Sequence, residues 1–379
     1  MSYIPRILED DIRKYLFSGK AIFIYGPRQC GKTTMIRHIT DQWQNDVLWL
    51  NGDSPDVREN LSRVTVARWK LILGSKRILV LDEAQRVPDV GLALKLLIDE
   101  IPEIQIIASG SSSFELANRT AEPMTGRKFE FRLFPLSFRE LSAHNGFLTE
   151  KQYCEQRLLY GGYPDVVTHP ENARRLLLEL VSSYLFKDIF ALDGFKKTRV
   201  LDKLVKALAM QIGSEVNIDE LAGLIGIDRR TVENYIDLLE KNYVIFSLPA
   251  FSGNMRNEIR KGRKIYFCDL GIRNAVTGNF CRIDSRTDNG AMWENYLILE
   301  RLKNTANLSV QPERFFWRTK GLQGREVDYL ERSSESLRAW EIKKNPESRA
   351  KIPLSFRNAY PEAQTDILTP GNYDLFLMS

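Results

Sequence analysis

Eight residues constrain this chain more than any others: Gly26-Pro27-Arg28-Gln29-Cys30-Gly31-Lys32-Thr33, continued by Thr34. They fit the pattern G-x-x-x-x-G-K-[ST]. They follow an apolar run, Ala21-Ile22-Phe23-Ile24-Tyr25, and precede a helical run carrying Met35, Ile36 and Ile39. Strand, glycine-rich turn and helix N-terminus are the context this pattern needs to work as a P-loop. Glycines let backbone N–H groups turn inward on phosphate oxygens, and the helix end adds partial positive charge. Residues 26–34 are therefore expected to cradle a nucleotide. Lys32 is expected to reach its β- and γ-phosphates, and the Thr33 hydroxyl to ligate Mg²⁺.

The surrounding sequence extends this reading. From residue 20 to about 140, apolar runs alternate with helical patterns, the layout of a parallel sheet with crossover helices. Strands are expected at 21–25, 47–51, 77–81, 104–108 and 129–133. A helix is expected over 92–101, where Leu94, Leu97, Ile98 and Ile101 repeat at helical spacing. The third strand runs into Asp82-Glu83, a Walker-B arrangement. Asp82 is expected to hold Mg²⁺, directly or through water, and Glu83 to polarise the attacking water. An acidic pair after a strand is also ordinary helix-capping chemistry. The fourth strand ends in Ser109-Gly110-Ser111, where a hydroxyl can sense the γ-phosphate from between the two motif strands; Ser111 is preferred to Ser109.

Composition excludes several classes. The chain has 379 residues, 43% of them hydrophobic, enough for two or three cores at about 150 residues per domain. A charged fraction of 27% with 10% aromatics excludes a disordered chain. The net charge of +5 is compatible with a nucleic-acid partner without requiring one. No apolar run approaches the ~18 residues of a membrane span, and the start, MSYIPRILEDD, lacks a signal-peptide layout. Cys30, Cys154, Cys268 and Cys281 form no C-x-x-C pair, and His38, His144 and His169 are the only histidines, which disfavours zinc-ribbon, disulfide or triad chemistry. A cytoplasmic protein without a membrane partner is expected.

Two further constellations lie downstream. Asn217-Ile218-Asp219-Glu220 reads as a capping box opening a helix with Leu221, Leu224 and Ile225 inward and Gly226 at its end. Ile227-Asp228 leads into a second helix, with Val232, Ile236 and Leu239 on its buried face, giving helix-turn-helix spacing. Arg229 and Arg230 in its first turn oppose the helix dipole, which points to a phosphate or base edge as partner, with neutralisation by Asp228 as the alternative. Asn234 lies one turn further on. Strands at 244–248 and 264–268 are expected to form a wing. The loop between them, with Arg256, Arg260, Lys261, Arg263 and Lys264, can track a nucleic-acid backbone. Near the C-terminus, Asp328 on one expected strand faces Glu341 and Lys343 on the next, and Glu294 lies on the helix before them. Period-2 alternation puts Glu341 and Lys343 on one face, with Trp340 and Ile342 on the other. A solvated sheet face is the alternative reading of these charges.

The polar strand end between the motif strands resembles an AAA+ ATPase. So does Gly126-Arg127 before the fifth strand, where that class carries an arginine finger acting on a neighbouring subunit. Arg127 is preferred, with Arg119 and Arg132 as competitors. The Asp328…Glu341-x-Lys343 pattern resembles the PD-(D/E)xK nuclease fold, which implies Mg²⁺ held by Glu294, Asp328 and Glu341 and a water-orienting Lys343. The order of parts resembles a bacterial and archaeal family of predicted AAA+ ATPases, carried by GPRQCGKT, ILVLDEAQ, GSSS at 110–113, FPLSFRE at 134–140, GGYP at 161–164 and YFCDLGIRNAV at 266–276. The resemblance implies an α/β AAA+ P-loop core over 1–145, a helical lid over 146–195, a winged helix over 196–275 and a nuclease-like α/β domain over 276–379. Arg174 and Arg175 are the candidates for a lid arginine. It also implies Mg²⁺-dependent ATP hydrolysis coupled to remodelling or processing of DNA, branched DNA included, in a self-associating protein, with a hexamer among the expected forms. A second, metal-dependent nuclease activity belongs to that reading. The alternative is an ATP-dependent regulatory switch whose nuclease-like domain is an inactive interaction platform.

Overall fold

The computed structural model describes residues 3–110, 124–182, 198–252, 262–319, 324–334, 336–347 and 350–378. The chain divides into two compact units, one built on Met1–Leu136 with Lys241–Tyr243, the other on most of the chain from Ser137 onward.

In the first unit, β1 (Ala21–Tyr25), β2 (Val47–Asn51), β3 (Ile78–Asp82), β4 (Gln105–Gly110) and β5 (Lys128–Arg132) form one parallel sheet in the order β2-β3-β4-β1-β5. Each expected strand is present within two residues. Strand β4 lies between β1 and β3, the two strands that carry the nucleotide motifs. Strands β1 and β4 are buried throughout, as parallel strands are when helices cover both faces. Helices α1 (Leu8–Tyr15), α2 (Lys32–Thr40), α3 (Pro55–Leu61), α4 (Val66–Leu73) and α5 (Val90–Glu100) supply the covering. Strand alternation divides the core cleanly. Ile22, Ile24, Ile78, Val80 and Ile107 pack with Ile12 of α1 and Met35, Ile36 and Ile39 of α2. Phe23, Tyr25, Leu79, Leu81, Ile106 and Ala108 pack with Trp69 and Leu73 of α4 and Val90, Leu94 and Leu97 of α5.

The second unit opens with short helices: α6 (Phe138–Asn145), α7 (Phe147–Gln152), α8 (Cys154–Tyr160), α9 (Pro164–Thr168) and α10 (Ala173–Leu180). Ser137 and Glu140 form a capping box at the start of α6, where the second unit begins. There follow α11 (Thr198–Met210), β6 (Glu215–Val216), α12 (Ile218–Ile225), α13 (Arg229–Lys241), β7 (Ile245–Pro249) and β8 (Arg263–Phe267). The three strands make an antiparallel sheet in the order β6-β8-β7. Asn217 caps α12 as expected, its side chain accepting from Asp219 and Glu220, and Gly226 ends the helix in the left-handed region.

The remainder is α14 (Leu270–Thr277), α15 (Asn289–Thr305), β9 (Glu313–Arg318), β10 (Glu326–Arg332), β11 (Leu337–Ile342), α16 (Leu354–Ala359), β12 (Gln364–Leu368) and α17 (Tyr373–Met378). Its sheet runs β12-β11-β10-β9, with β12 parallel to β11 and the other pairs antiparallel. Phe315, Trp317, Val327, Leu330, Ala339 and Phe356 form its core, joined by Phe251 from just beyond β7. The Phe251 N–H also donates to the Phe316 carbonyl at 2.7 Å, tying the two sheets of this unit together.

GGYP and DLGIRNAV meet in a clasp. The buried Asp269 carboxylate accepts from the backbone N–H of Gly162 (2.8 Å) and of Ile272 (3.0 Å). Asn274 donates to the carbonyls of Leu158 (3.0 Å) and Leu159 (2.9 Å). At Gly161 φ is +70°, and an added Cβ would lie 2.1 Å from the Asp269 carboxylate, so neither backbone nor space admits a side chain. Gly161→Ala is expected to destabilise the protein by about 1–3 kcal/mol, the range for a strained, overpacked site. Chemical denaturation of the variant beside the parent checks this.

Candidate nucleotide site and a buried acidic cluster

The P-loop folds as its sequence demands. Gly31 takes φ +99° and caps α2 without a side-chain hydrogen bond, leaving the helix N-terminus to an outside anion. Gly26 packs so tightly on the end of β5 that an added Cβ would lie 2.0 Å from the Leu133 carbonyl oxygen. Lys32 is 6% exposed, and its ammonium donates to the carbonyls of Gly26 (2.8 Å) and Pro27 (2.9 Å). Cys30 is buried beneath the loop, where desolvation raises its thiol pKa. Pro27 is buried, Arg28 and Thr33 are half-buried, and Gln29 and Thr34 are exposed. A residue outside the motif supports the loop from below. Buried Arg6 donates to the carbonyls of Cys30 (2.8 Å) and Phe134 (2.6 Å), linking the loop to the chain just beyond β5. Nothing local in the sequence marks Arg6 for this task.

The acidic strand end lies against the loop. Thr33 Oγ1 donates to Asp82 Oδ2 at 2.6 Å, and Ser109 Oγ donates to the other oxygen of the same carboxylate. Glu83 stands at φ +50°, and its carboxylate accepts from Gln85 Nε2 at 2.6 Å. Ser111 and Arg119 lie outside the described residues, as does most of the GSSS run. Arg127 stands before the N-terminal end of β5, paired with Asp99 at 2.6 Å; Arg132 is exposed at the other end, opposite Tyr25. The glycine-bounded loop, the buried ammonium and the Thr33–Asp82 pair fit a nucleoside triphosphate with Mg²⁺. Residues 26–34 would hold the phosphates, and Thr33 and Asp82 the metal.

Residues 18–142 match a family described as an AAA domain. That match covers the five-stranded parallel sheet of the first unit. Residues 151–281 match a domain of unknown function (DUF8612), and 289–377 another (DUF4143). An uncharacterized protein of Mycobacterium tuberculosis is 26% identical over 371 residues, 96% of this chain and 79% of that one. One of Haemophilus influenzae is 24% identical over 378 residues, covering 92% of this chain and 88% of its own. A solved structure, the Cdc6p protein of Pyrobaculum aerophilum, aligns with 73% of this chain and 95% of its own at 14% identity and a TM-score of 0.30. The strand order, not that likeness, carries the fold.

On the helix-turn-helix pair, Arg229 is met from inside the protein, by Asp219 at 3.0 Å and Glu233 at 3.1 Å. Asp228 is engaged elsewhere, accepting from the N–H (2.9 Å) and hydroxyl (2.6 Å) of Thr231 at the start of α13. Arg230 and Asn234 are both exposed, one turn apart; Arg263 is half-buried on β8; Arg256, Arg260 and Lys261 lie outside the described residues. Of the lid candidates, Arg174 lies 5.5 Å from the Phe280 ring centroid and Arg175 pairs with Glu179 at 2.8 Å. No helix among the described residues is long and apolar enough to cross a membrane.

The C-terminal charges do not lie on a solvated face: Asp328 is 7% and Glu341 9% exposed. The pairing of β10 with β9 shifts by one residue between Val327 and Leu330, the stretch that holds Asp328 and Tyr329, as at a bulge that re-aims a side chain. Asp328 accepts from the Ile342 N–H at 2.8 Å. Lys343 pairs with Glu341 at 2.6 Å and approaches Asp328 at 3.6 Å. On α15, Glu294 accepts from the Tyr266 hydroxyl at 2.5 Å and from Lys264 at 3.1 Å. Lys264 also pairs with Glu326. The sequence places Lys264 in the basic wing cluster expected to track a backbone; it is instead buried and turned onto these acids. Among the described residues, no three acidic, imidazole or thiol side chains are arranged to hold a metal ion. The Glu294, Asp328 and Glu341 set therefore does not fit Mg²⁺ as it stands, because ammonium groups already meet these acids.

Burial, reinforced by repulsion from Asp328, raises both Glu294 and Glu341 to about 7. Carboxyls whose folded pKa exceeds the unfolded value bind protons more tightly when folded. Their contribution is fully present below about 4.5 and is lost as pH rises towards 7. Glu341→Gln is expected to flatten the fall in stability between about pH 5 and 8 relative to the parent, because the glutamine has no proton to lose as the glutamic acid does near 7. Denaturant midpoints across that range check it.

Proposed function

We propose that this chain is a Mg²⁺-dependent ATPase that couples hydrolysis to work on DNA. The hydrogen bond from Thr33 to Asp82 carries the reading, since it joins the phosphate loop to the acidic strand end across β4. Lys32 would leave the carbonyls of Gly26 and Pro27 for the β- and γ-phosphates. Mg²⁺, held by Thr33 and Asp82, would offset charge on the phosphate oxygens. Glu83 would accept a proton from the water that attacks the γ-phosphorus, once released from Gln85. Ser109 or Ser111 would report on the γ-phosphate. Arg127 would act on a neighbouring copy after parting from Asp99, which makes self-association part of the proposal.

DNA is the substrate favoured for the second unit. The sequence helix, short strand, helix, helix, hairpin, with sheet order β6-β8-β7, supports a winged helix whose α13 presents Arg230 and Asn234. Helix α15, three antiparallel strands, α16 and a parallel fourth strand support a nuclease-like arrangement behind it. One observation favours the alternative of an ATP-dependent switch with an inactive C-terminal domain: lysines meet the acids there, and no metal-holding group is found among the described residues.

Lys32→Ala is expected to abolish ATP turnover. Glu83→Gln is expected to retain ATP binding while turnover falls by about 10²–10⁴-fold, the usual contribution of a general base. Parallel binding and phosphate-release assays decide this, and parent-like turnover in Glu83→Gln would remove the assigned base. Arg229→Ala with Arg230→Ala should weaken DNA binding and lower its salt slope by about 1 for each phosphate no longer neutralised. Because Arg229 has carboxylate partners, Arg230→Ala alone should account for most of the change. ATP turnover measured with linear, forked and four-way-junction DNA separates the readings: stimulation supports DNA work, and indifference to all three supports the switch.

A further inference from the structure

Lys264 lies on β8, the middle strand of its sheet, paired with Glu215 on one side and Leu248 on the other. Its backbone is thus held on both edges, and the side chain is 3% exposed. The ammonium is aimed at acids of a different sheet and helix: Glu294 of α15 at 3.1 Å and Glu326 of β10. Two residues along the same strand, Tyr266 donates to the same Glu294 oxygen at 2.5 Å. Asp328 and Glu341 are served by Lys343 instead, and Glu341 keeps one buried oxygen with no hydrogen-bond partner.

A buried carboxylate cluster needs counter-charge, either from a metal ion or from the protein. Here the helical acid of the expected metal set is already bound from within. A lysine held in a central strand cannot be displaced by a small movement of a surface side chain. We propose that Lys264 is a tethered cation standing where a divalent metal would otherwise draw on Glu294, so that the Glu294, Asp328 and Glu341 cluster takes no divalent cation until this ammonium is removed. The inference rests on the nuclease-like reading of the C-terminal sheet and corrects its expected metal. It is independent of the ATP site.

The test uses the full chain without nucleotide, carrying Asp82→Asn to remove the metal position of the ATP site. Mn²⁺ is titrated in, and bound metal is read from the loss of the free-ion electron paramagnetic resonance signal. With Lys264 intact, the chain and its Glu341→Gln derivative should bind the same number of Mn²⁺ ions. Lys264→Met should gain one Mn²⁺ per chain, and Lys264→Met with Glu341→Gln should lose it again. One more Mn²⁺ bound with Glu341 present than with Gln, while Lys264 is intact, overturns the proposal. So does a Lys264→Met chain with parent-like circular dichroism and melting that gains no Mn²⁺. The first comparison leaves Lys264 unchanged and so can overturn the proposal even if the methionine variant does not fold. None of these outcomes depends on ATP turnover, so failure here and failure of the ATPase reading remain distinct.

Discussion

A carboxylate bridged by two hydroxyls sets the geometry of the first unit. Asp82 receives Thr33 from the start of α2 and Ser109 from β4, so two separate stretches converge on one acid at the C-terminal end of β3. That convergence needs β4 between β1 and β3, and the observed order provides it. The loop itself is held from the other side, where Gly26 abuts the Leu133 carbonyl and Arg6 spans Cys30 and Phe134. A phosphate site works by presenting donors that need no rearrangement when charge arrives. Buried Arg6 serves this end, since it grips the backbone of the loop and of the segment after β5 at once.

Buried charge plays a different part in the second unit. Arg301 and Glu331 pair at 2.8 Å, Arg157 and Glu150 at 2.6 Å, and Lys264 bridges two acids. Such pairs add little net stability once desolvation is counted, but losing one partner leaves an isolated buried charge. They therefore penalise wrong packing more than they reward correct packing. Lys264 links the β6-β8-β7 sheet to the C-terminal sheet in this way. Together with the Phe251 to Phe316 bond it helps explain why residues expected as separate domains cluster as one unit.

Local pattern makes much of this legible. The five strands, the helix over 92–101 and the caps at Asn217 and Gly226 all follow from periodicity and short-range chemistry, which the chain shows within a few residues. Groups that act across long separations are not legible. Arg6 meets Phe134, Lys264 meets Glu294 and Asp269 meets Gly162, and no short window of sequence contains both partners. GGYP and DLGIRNAV stand out in the sequence without a role; their clasp is structural. Arg229 is another such case. Its position against the helix dipole suggests an external anion, and Asp219, ten residues earlier and brought near by the turn, lies beside the charge as well.

The extra residue in β10 has a consequence for how this chain tolerates change. Bulges count residues, because side chains alternate faces with every step. Three steps along β10 from Val327 to Leu330 match two along β9 from Trp317 to Phe315, so the extra residue lets Val327 and Leu330 join the same core. A deletion there would restore regular pairing with β9 but shift β10 against β11 and break the Asp328 bond to the Ile342 N–H, so the length of this strand is fixed from both of its edges at once.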